Sequence, residues 1–298
     1  MCSLMLFFCW VGAPGADPAG HANAVLEQLV ETGIALPDAG AVKLPPPSMP
    51  DGLDAKQQRT AIAKLPGIRH SVEDLLRKSA VAPFELQKTQ AAAKDKAETS
   101  AWRVDAWFVA YGELDQVAKE DFLKRWSQLG GGKDENGGVS RAGKLSDEEI
   151  AERKLFDVGG DHKDEYFLYS TFELFDKVQF GATRHAMISR SDESLLVAAR
   201  VDSRFAGDAK YPNQWRPMKR DELGKITVGQ PHPYEAAGFY AKVTRLEEPA
   251  GALFVEYHQV FNEPQAWFHG ARLLSSKIPL LAQDAVRDFR RKLIKENR

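Results

Sequence analysis

Cysteine is almost absent from this chain: Cys2 and Cys9 are the only two in 298 residues. Both fall within the first sixteen residues, which also lack any charge. Leu4-Met5-Leu6-Phe7-Phe8-Cys9-Trp10-Val11 is a short apolar run, followed by the small residues Ala13-Pro14-Gly15-Ala16. A bilayer span needs ~20 residues, so residues 1–16 read instead as a secretory signal peptide, although no Lys or Arg precedes the run. Gly12, Pro14 and Gly15 break a helix and argue against a buried N-terminal one. Phe7-Phe8 before Cys9 argue against a lipid anchor. A cut near Gly15 or Ala16 would leave no cysteine at all. That excludes disulfides, thiol catalysis and cysteine-ligated metals, and predicts an exported protein, periplasmic or secreted.

An excess of charge is also missing. Lys plus Arg is 40 against 42 for Asp plus Glu, a net charge of -2. Bulk attraction to nucleic acid or anionic lipid is therefore not expected. No later segment is long and apolar enough for a transmembrane helix. The nucleophile elbow, HExxH, P-loop and GxGxxG patterns are absent. Gly130-Gly131-Gly132 lacks a following Lys-Ser/Thr and reads as a loop. Asp134-Glu135-Asn136-Gly137-Gly138 lacks the ligand series and terminal Glu of a calcium loop. Neither a cofactor nor a metal is expected.

What is present is ordinary globular composition, 43% hydrophobic, with 16 Phe, 7 Tyr and 6 Trp to build a core. Three regions are expected: the signal, an N-terminal helical segment over 17–100, and an α+β body over 101–298. In the second, Val25, Leu26, Leu29 and Ile34 stripe a helix over 22–34. Five prolines between 36 and 52 make that stretch an extended linker or a strap over the body. Asp54–Leu65 reads as a helix, Ser71 caps another, and Val81–Leu86 starts something extended. Gln90–Ser100 reads as a loop tip or an exposed helix.

In the body, Arg103–Gly112 alternates as a strand and Glu113–Leu129 is an amphipathic helix. Ser146 with Glu149 forms a capping box for a helix to about Phe156. Tyr166–Phe180 is apolar at even positions and reads as one long strand with one face partly wet. Ala182–Arg190 and Leu195–Phe205 follow, then a turn-rich insertion over 207–237 with one strand near 224–228. Phe239–Leu246 and Ala252–Phe261 flank a turn, and a helix from Pro279 to Lys295 closes the chain. Pro279 suits its first turn, and Ala282, Val286, Phe289 and Leu293 form its apolar stripe.

The expectation is thus a curved antiparallel sheet of about six strands covered by the long C-terminal helix. This order over 102–295 resembles the helix-grip domains of the START and Bet v 1 type, by topology only. The resemblance implies a cavity for an apolar ligand between sheet and helix. A second resemblance is at sequence level. Arg69–Lys78, Val81-Ala82-Pro83-Phe84 and Val104–Gly112 look like segments of exported, uncharacterised proteins of planctomycete-type bacteria, which imply no activity.

Glu256 and His258 are two apart on one strand and share a face. With His269 they are candidates for general acid–base work, or else a hydrogen-bonded polar pair. Arg184, His185, Arg200 and Arg204 form a polar set that could meet an anionic ligand. His162 reads as part of a polar approach to a strand rather than a metal ligand. Trp102, Trp107, Trp215 and Trp267 are core aromatics or a ligand platform. The leading expectation is a non-enzymatic protein binding an apolar small molecule or a protein partner. The alternatives are an enzyme using the Glu256/His258 pair, and a structural or interaction protein with a filled core.

Overall fold

The computed structural model describes residues 23–36, 39–90, 99–119, 141–156, 162, 164–175, 177–222, 225–264, 267 and 273–296. The expected signal, the 91–98 stretch and residues 120–129 of the helix expected over 113–129 lie outside them; the described part of that helix is one turn, α4 (Leu114–Val117), with Ala118 as its C-cap.

Before the body come α1 (Ala24–Glu27), which runs on as a wider π-type turn over Gln28–Thr32, then β1 (Ile34–Leu36) and β2 (Gly40–Val42). The helix expected to reach Ile34 stops earlier. Gly33, at φ 81, turns the chain into a β1–β2 hairpin, and its backbone lies against Val42 too closely for a side chain. Residues 43–50 are extended, as their four prolines dictate. Next are α2 (Ala55–Ala63), started by an Asp54/Gln57 capping box, and α3 (Val72–Leu75), capped by Ser71.

The body is one antiparallel sheet of eleven strands, not about six. They are β3 (Glu85–Gln90), β4 (Thr99–Tyr111), β5 (Arg141–Lys144), β6 (Glu165–Leu174), β7 (Val178–Arg190), β8 (Ser194–Val201), β9 (Gln214–Arg220), β10 (Ile226–Val228), β11 (His232–Pro233), β12 (Ala237–Arg245) and β13 (Ala252–Pro264). The spatial order is β3-β4-β13-β12-β8-β7, with β6 and then β5 on the far edge of β7. Further along β7, residues 178–181 pair with β9 on the edge where 184–190 pair with β8. A capped helix, α5 (Asp147–Glu152), precedes β6, and the long α6 (Leu273–Glu296) ends the described chain.

Three expectations are corrected. The single strand over 166–180 is a hairpin turning at 175–177, with Phe172 opposite Phe180 and Leu174 opposite Val178. Partners in this register have the same parity, so the apolar alternation runs through the turn unbroken. In the 207–237 insertion, β9 and β11 were missed because Pro217 and Pro233 lie in them. α6 begins at Leu273, so Pro279 lies inside it. Leu274 and Ile278, one turn earlier, are buried among the body's aromatics, and that packing extends the helix upstream.

Both faces of the central sheet are buried, not one. On the α6 face, Phe108, Val197, Phe239, Val255 and Tyr257 pack with the expected helix stripe of Val286, Phe289 and Leu293. On the opposite face, Trp107, Val109 and Phe254 pack under Met49, Ile62, Leu65 and Leu75. Beside them, Leu196, Ala198, Tyr240 and Val260 pack under Val25, Leu29, Leu36 and Leu44. Residues 23–76 therefore cover the face expected to be wet. Gly238 admits this layer: a Cβ there would lie 2.7 Å from Leu29 and closer still to Ile34.

Candidate functional site

The most ordered polar chemistry lies under the proline-rich strap. Cross-strand register places His258 opposite both Asp105 and Tyr240, and Glu256 opposite both Trp107 and Lys242. All of these side chains point to the strap face. His258 Nδ1 lies 2.8 Å from Asp105 Oδ1, and Arg103 Nε donates to Asp105 Oδ2 at 2.9 Å. His258 Nε2 is 3.6 Å from Glu256 Oε2. Glu256 in turn accepts the backbone N–H of Ser48 at 2.6 Å and of Met49 at 3.3 Å. Trp107 Nε1 donates to Ser48 Oγ, Tyr240 Oη to Pro45 O, and Lys242 Nζ to Met49 O and Asp51 Oδ1. Charges thus alternate along Arg103, Asp105, His258, Glu256, Lys242 and Asp51, and the chain they grip is the strap.

Glu256 and His258 are both 0% exposed. Burial pushes the imidazole's pKa down, but hydrogen bonds and charge from Asp105 and Glu256 push it up by more, so it stands above its ordinary value. Burial likewise raises the Tyr240 phenol, helped by Glu256 and Asp105. For Asp51, burial is outweighed by Lys242, Ser191 and Ser194, and the carboxyl lies below its usual range. An acid–base pair at work needs a substrate within hydrogen-bond reach. Here the hydrogen bonds of Glu256 go to the strap, and Trp107 and Tyr240 wall in the imidazole with ring centroids 5.2 and 4.7 Å away. His269, the third candidate, lies outside the described residues.

Arg184 and His185 are adjacent on β7 and so take opposite faces. Arg184 enters the α6 face at 4% exposure and donates to Ser170 Oγ. It shares a small cavity with Phe180 and acts electrostatically on Tyr234, and those two rings belong to a buried cluster with Phe172, Trp215, Phe261 and Trp267. Trp267 stacks on Tyr234 at 5.9 Å and stands 6.3 Å from both Phe180 and Trp215. Glu263, 6% exposed, accepts from Trp102 Nε1 at 2.9 Å. Burial raises the Tyr234 phenol, with Arg184 lowering it and Glu263 raising it, so both charges act on the same aromatic box. Beside Arg184, Phe180, Val201, Phe239 and Gln259 border a cavity of about 10 Å³, roughly enough for one water.

His185 faces the other way, with Phe167 stacked on its ring at 4.9 Å. Its Nε2 meets Glu165, which also meets His162 Nδ1 at 2.6 Å. Burial lowers the His185 pKa against the pull of Glu165, and Arg200, opposite it on β8, lowers it further. Burial also lowers Arg200. Arg204 grips Asp202 through Nε and Nη2. The four candidates therefore do not form one site: Arg184 and Trp267 share the α6 face, and His185 and Arg200 share the other. Among the described residues, no group of three or more His, Cys, Asp or Glu is disposed to hold a metal ion, and no helix is long and apolar enough to cross a membrane. Asp105, Lys242, Asp51 and Glu263 were missed. Period-two spacing flags Glu256 with His258, but nothing local links His258 to a residue 153 positions away.

No family model and no curated protein matches the chain. Nothing found supports the likeness of residues 69–112 to planctomycete-type exported proteins. Among solved structures, the chain is similar to the crystal structure of human STARD10, at 9% identity over 70% of this chain and 78% of that chain. The TM-score is 0.32, and at that value the likeness carries no argument; the α+β arrangement of sheet and terminal helix rests on the topology itself.

Proposed function

We propose that this is a non-enzymatic binding protein of helix-grip type, holding a small, mainly apolar ligand with a polar end between the sheet and α6. One observation carries the reading: two charged side chains, Arg184 and Glu263, are buried in a box of aromatic rings on the α6 face. Burying a charge costs desolvation, and well-packed apolar residues of similar volume commonly stabilise a core as well or better. A core made only to pack has no need of buried charges, whereas an apolar pocket with a few placed polar groups is the usual design of a ligand site. The cavity beside Arg184 holds only about 10 Å³, so a ligand at Arg184 would have to displace the side chains packed around it. The uncharged apolar run over residues 4–11 supports action outside the cytoplasm, which fractionation of the native host would check.

The test is native mass spectrometry of the protein purified from its own host, followed by denaturation and analysis of released small molecules. Stoichiometric release of an apolar compound with a polar end, lost in Arg184→Met, is the expected result. A bare-chain mass, together with no saturable uptake of a hydrophobic fluorophore, would overturn the reading and leave the box as packing alone.

A further inference from the structure

A second, separate site lies on the outer side of α6. Residues 81–86 run beside the helix, and between them is an open groove of about 540 Å³, within the roughly 300–1,000 Å³ typical of small-molecule sites. Its apolar lining includes Val81, Pro83, Phe84 and Leu280. Val81 is 60% and Leu280 52% exposed, two of the three large hydrophobic side chains left exposed among the described residues. From Leu280 to Arg290 the helix rises about 15 Å, long enough to lay out an extended hydrocarbon chain.

The charge lining the groove is of one sign. Arg69, Arg287 and Arg290 border it, with His70, and no carboxylate does. Arg290, 2% exposed, is its floor: Nε donates to Val109 O at 2.8 Å, Nη2 to Pro83 O at 3.0 Å, and Nη1 to Ala82 O at 2.5 Å. Among the described residues it has no carboxylate within ion-pair distance. Burial, with the charge of Arg77, pulls its pKa down to about 10, still a cation at neutral pH. Glu85, the nearest acid in sequence to the groove wall, already pairs with the Arg69 guanidinium at 3.7 Å, which leaves Arg287 as the groove's accessible cation. Glu85 is 1% exposed and also takes the N–H groups of Arg69 and His70 and the His70 imidazole. Asp288 pairs with Arg291, and neither it nor Asp284 lines the groove.

We propose that this groove binds a free anionic amphiphile, its hydrocarbon chain along Val81, Phe84 and Leu280 and its acid group at Arg287. An uncompensated cation below and an exposed apolar strip beside it call for one molecule with both properties. The proposal is independent of the interior site.

The experiment uses the full chain and dodecanoate below its micellar concentration, read by isothermal titration calorimetry. One equivalent is expected to bind. Arg287→Gln should weaken binding about tenfold, the scale of one charge-assisted contact. Leu280→Glu should abolish it, and dodecyltrimethylammonium should bind at least about tenfold more weakly than dodecanoate. Both substitutions are at solvent-accessible positions, and unchanged melting temperatures would confirm that the variants fold. The proposal is overturned by the absence of saturable heat, by equal binding of the cationic amphiphile, or by a response confined to phosphatidylglycerol vesicles. Wild-type affinity in both variants would overturn it too, and would place dodecanoate elsewhere without touching the interior reading.

Discussion

Glu256→Gln isolates the strap-side network, because it keeps the shape of the side chain and removes only its charge. Glu256 is fully buried and accepts two strap amides while facing the His258 imidazole at 3.6 Å. Hydrogen bonds to a charged group are worth about 1.5–3 kcal/mol and neutral ones about 0.5–1.5, so the two amide contacts lose roughly 2–3 kcal/mol together. His258 also loses one of its two carboxylates, which brings the total to about 3 kcal/mol, the lower end for breaking a buried pair. For a chain of this size that is about 5 °C in melting temperature. The pH dependence adds a sharper criterion. His258 has a raised folded pKa, so its contribution is fully present below the ordinary value of about 6.5 and is lost as pH rises through the folded value. The gap between wild type and variant should therefore be wider at about pH 6 than at about pH 9. Thermal melts at both pH values measure this, and limited proteolysis within 45–52 reports whether the strap has loosened. A shift under about 2 °C, or a gap independent of pH, would refute the assignment of His258 as a cation held between two acids.

Three further outcomes follow from the packing. Gly238→Val should cost about 1–3 kcal/mol in urea denaturation, since any side chain there displaces Leu29 and Ile34 from the sheet. Phe289→Ala should cost about 3–5 kcal/mol, because the ring is 0% exposed and meets Phe108 edge-on at 5.3 Å. On the acid side, burial raises the Glu85 carboxyl but the Arg69 and His70 contacts lower it by more. Its stabilisation is present above the ordinary carboxylate value and lost as pH falls through the folded one, so Glu85→Gln should flatten the acid limb of the melting-temperature profile.

The sequence made some elements plain and hid others for definite reasons. Capping residues are local signals, and Asp54, Ser71 and Ser146 each start the helix expected of them. The apolar stripe of α6 was equally clear, since a 3.6-residue period has no other explanation. Its start was not, because Pro279 is a local signal for a first turn and the burial of Leu274 and Ile278 is a tertiary one. The 175–177 turn was hidden by parity, and β9 and β11 by proline. Of the candidate site, the Glu256/His258 spacing was legible because it lies within one strand. Asp105 and Lys242 join it only through the register of β13 with β4 and β12, and Asp51 only through the strap.

β13 lines both sides of the sheet. Its even residues Glu256 and His258 face the strap, and its odd residues Tyr257, Gln259, Phe261 and Glu263 face α6. On the strap side each charge has a structural use: Glu256 and Lys242 fix the backbone at Ser48 and Met49, and Asp105 and Arg103 balance His258. The strap over 43–50, with four prolines, makes no ladder of its own, so it must be tied down by side chains. α6 satisfies its own backbone and needs only an apolar surface beneath it. On this side Arg184 donates to Ser170 Oγ, Gln259 accepts from Tyr257 Oη and Glu263 accepts from Trp102 Nε1, so β13 carries polar groups on both faces, and the proposed ligand would meet those facing α6.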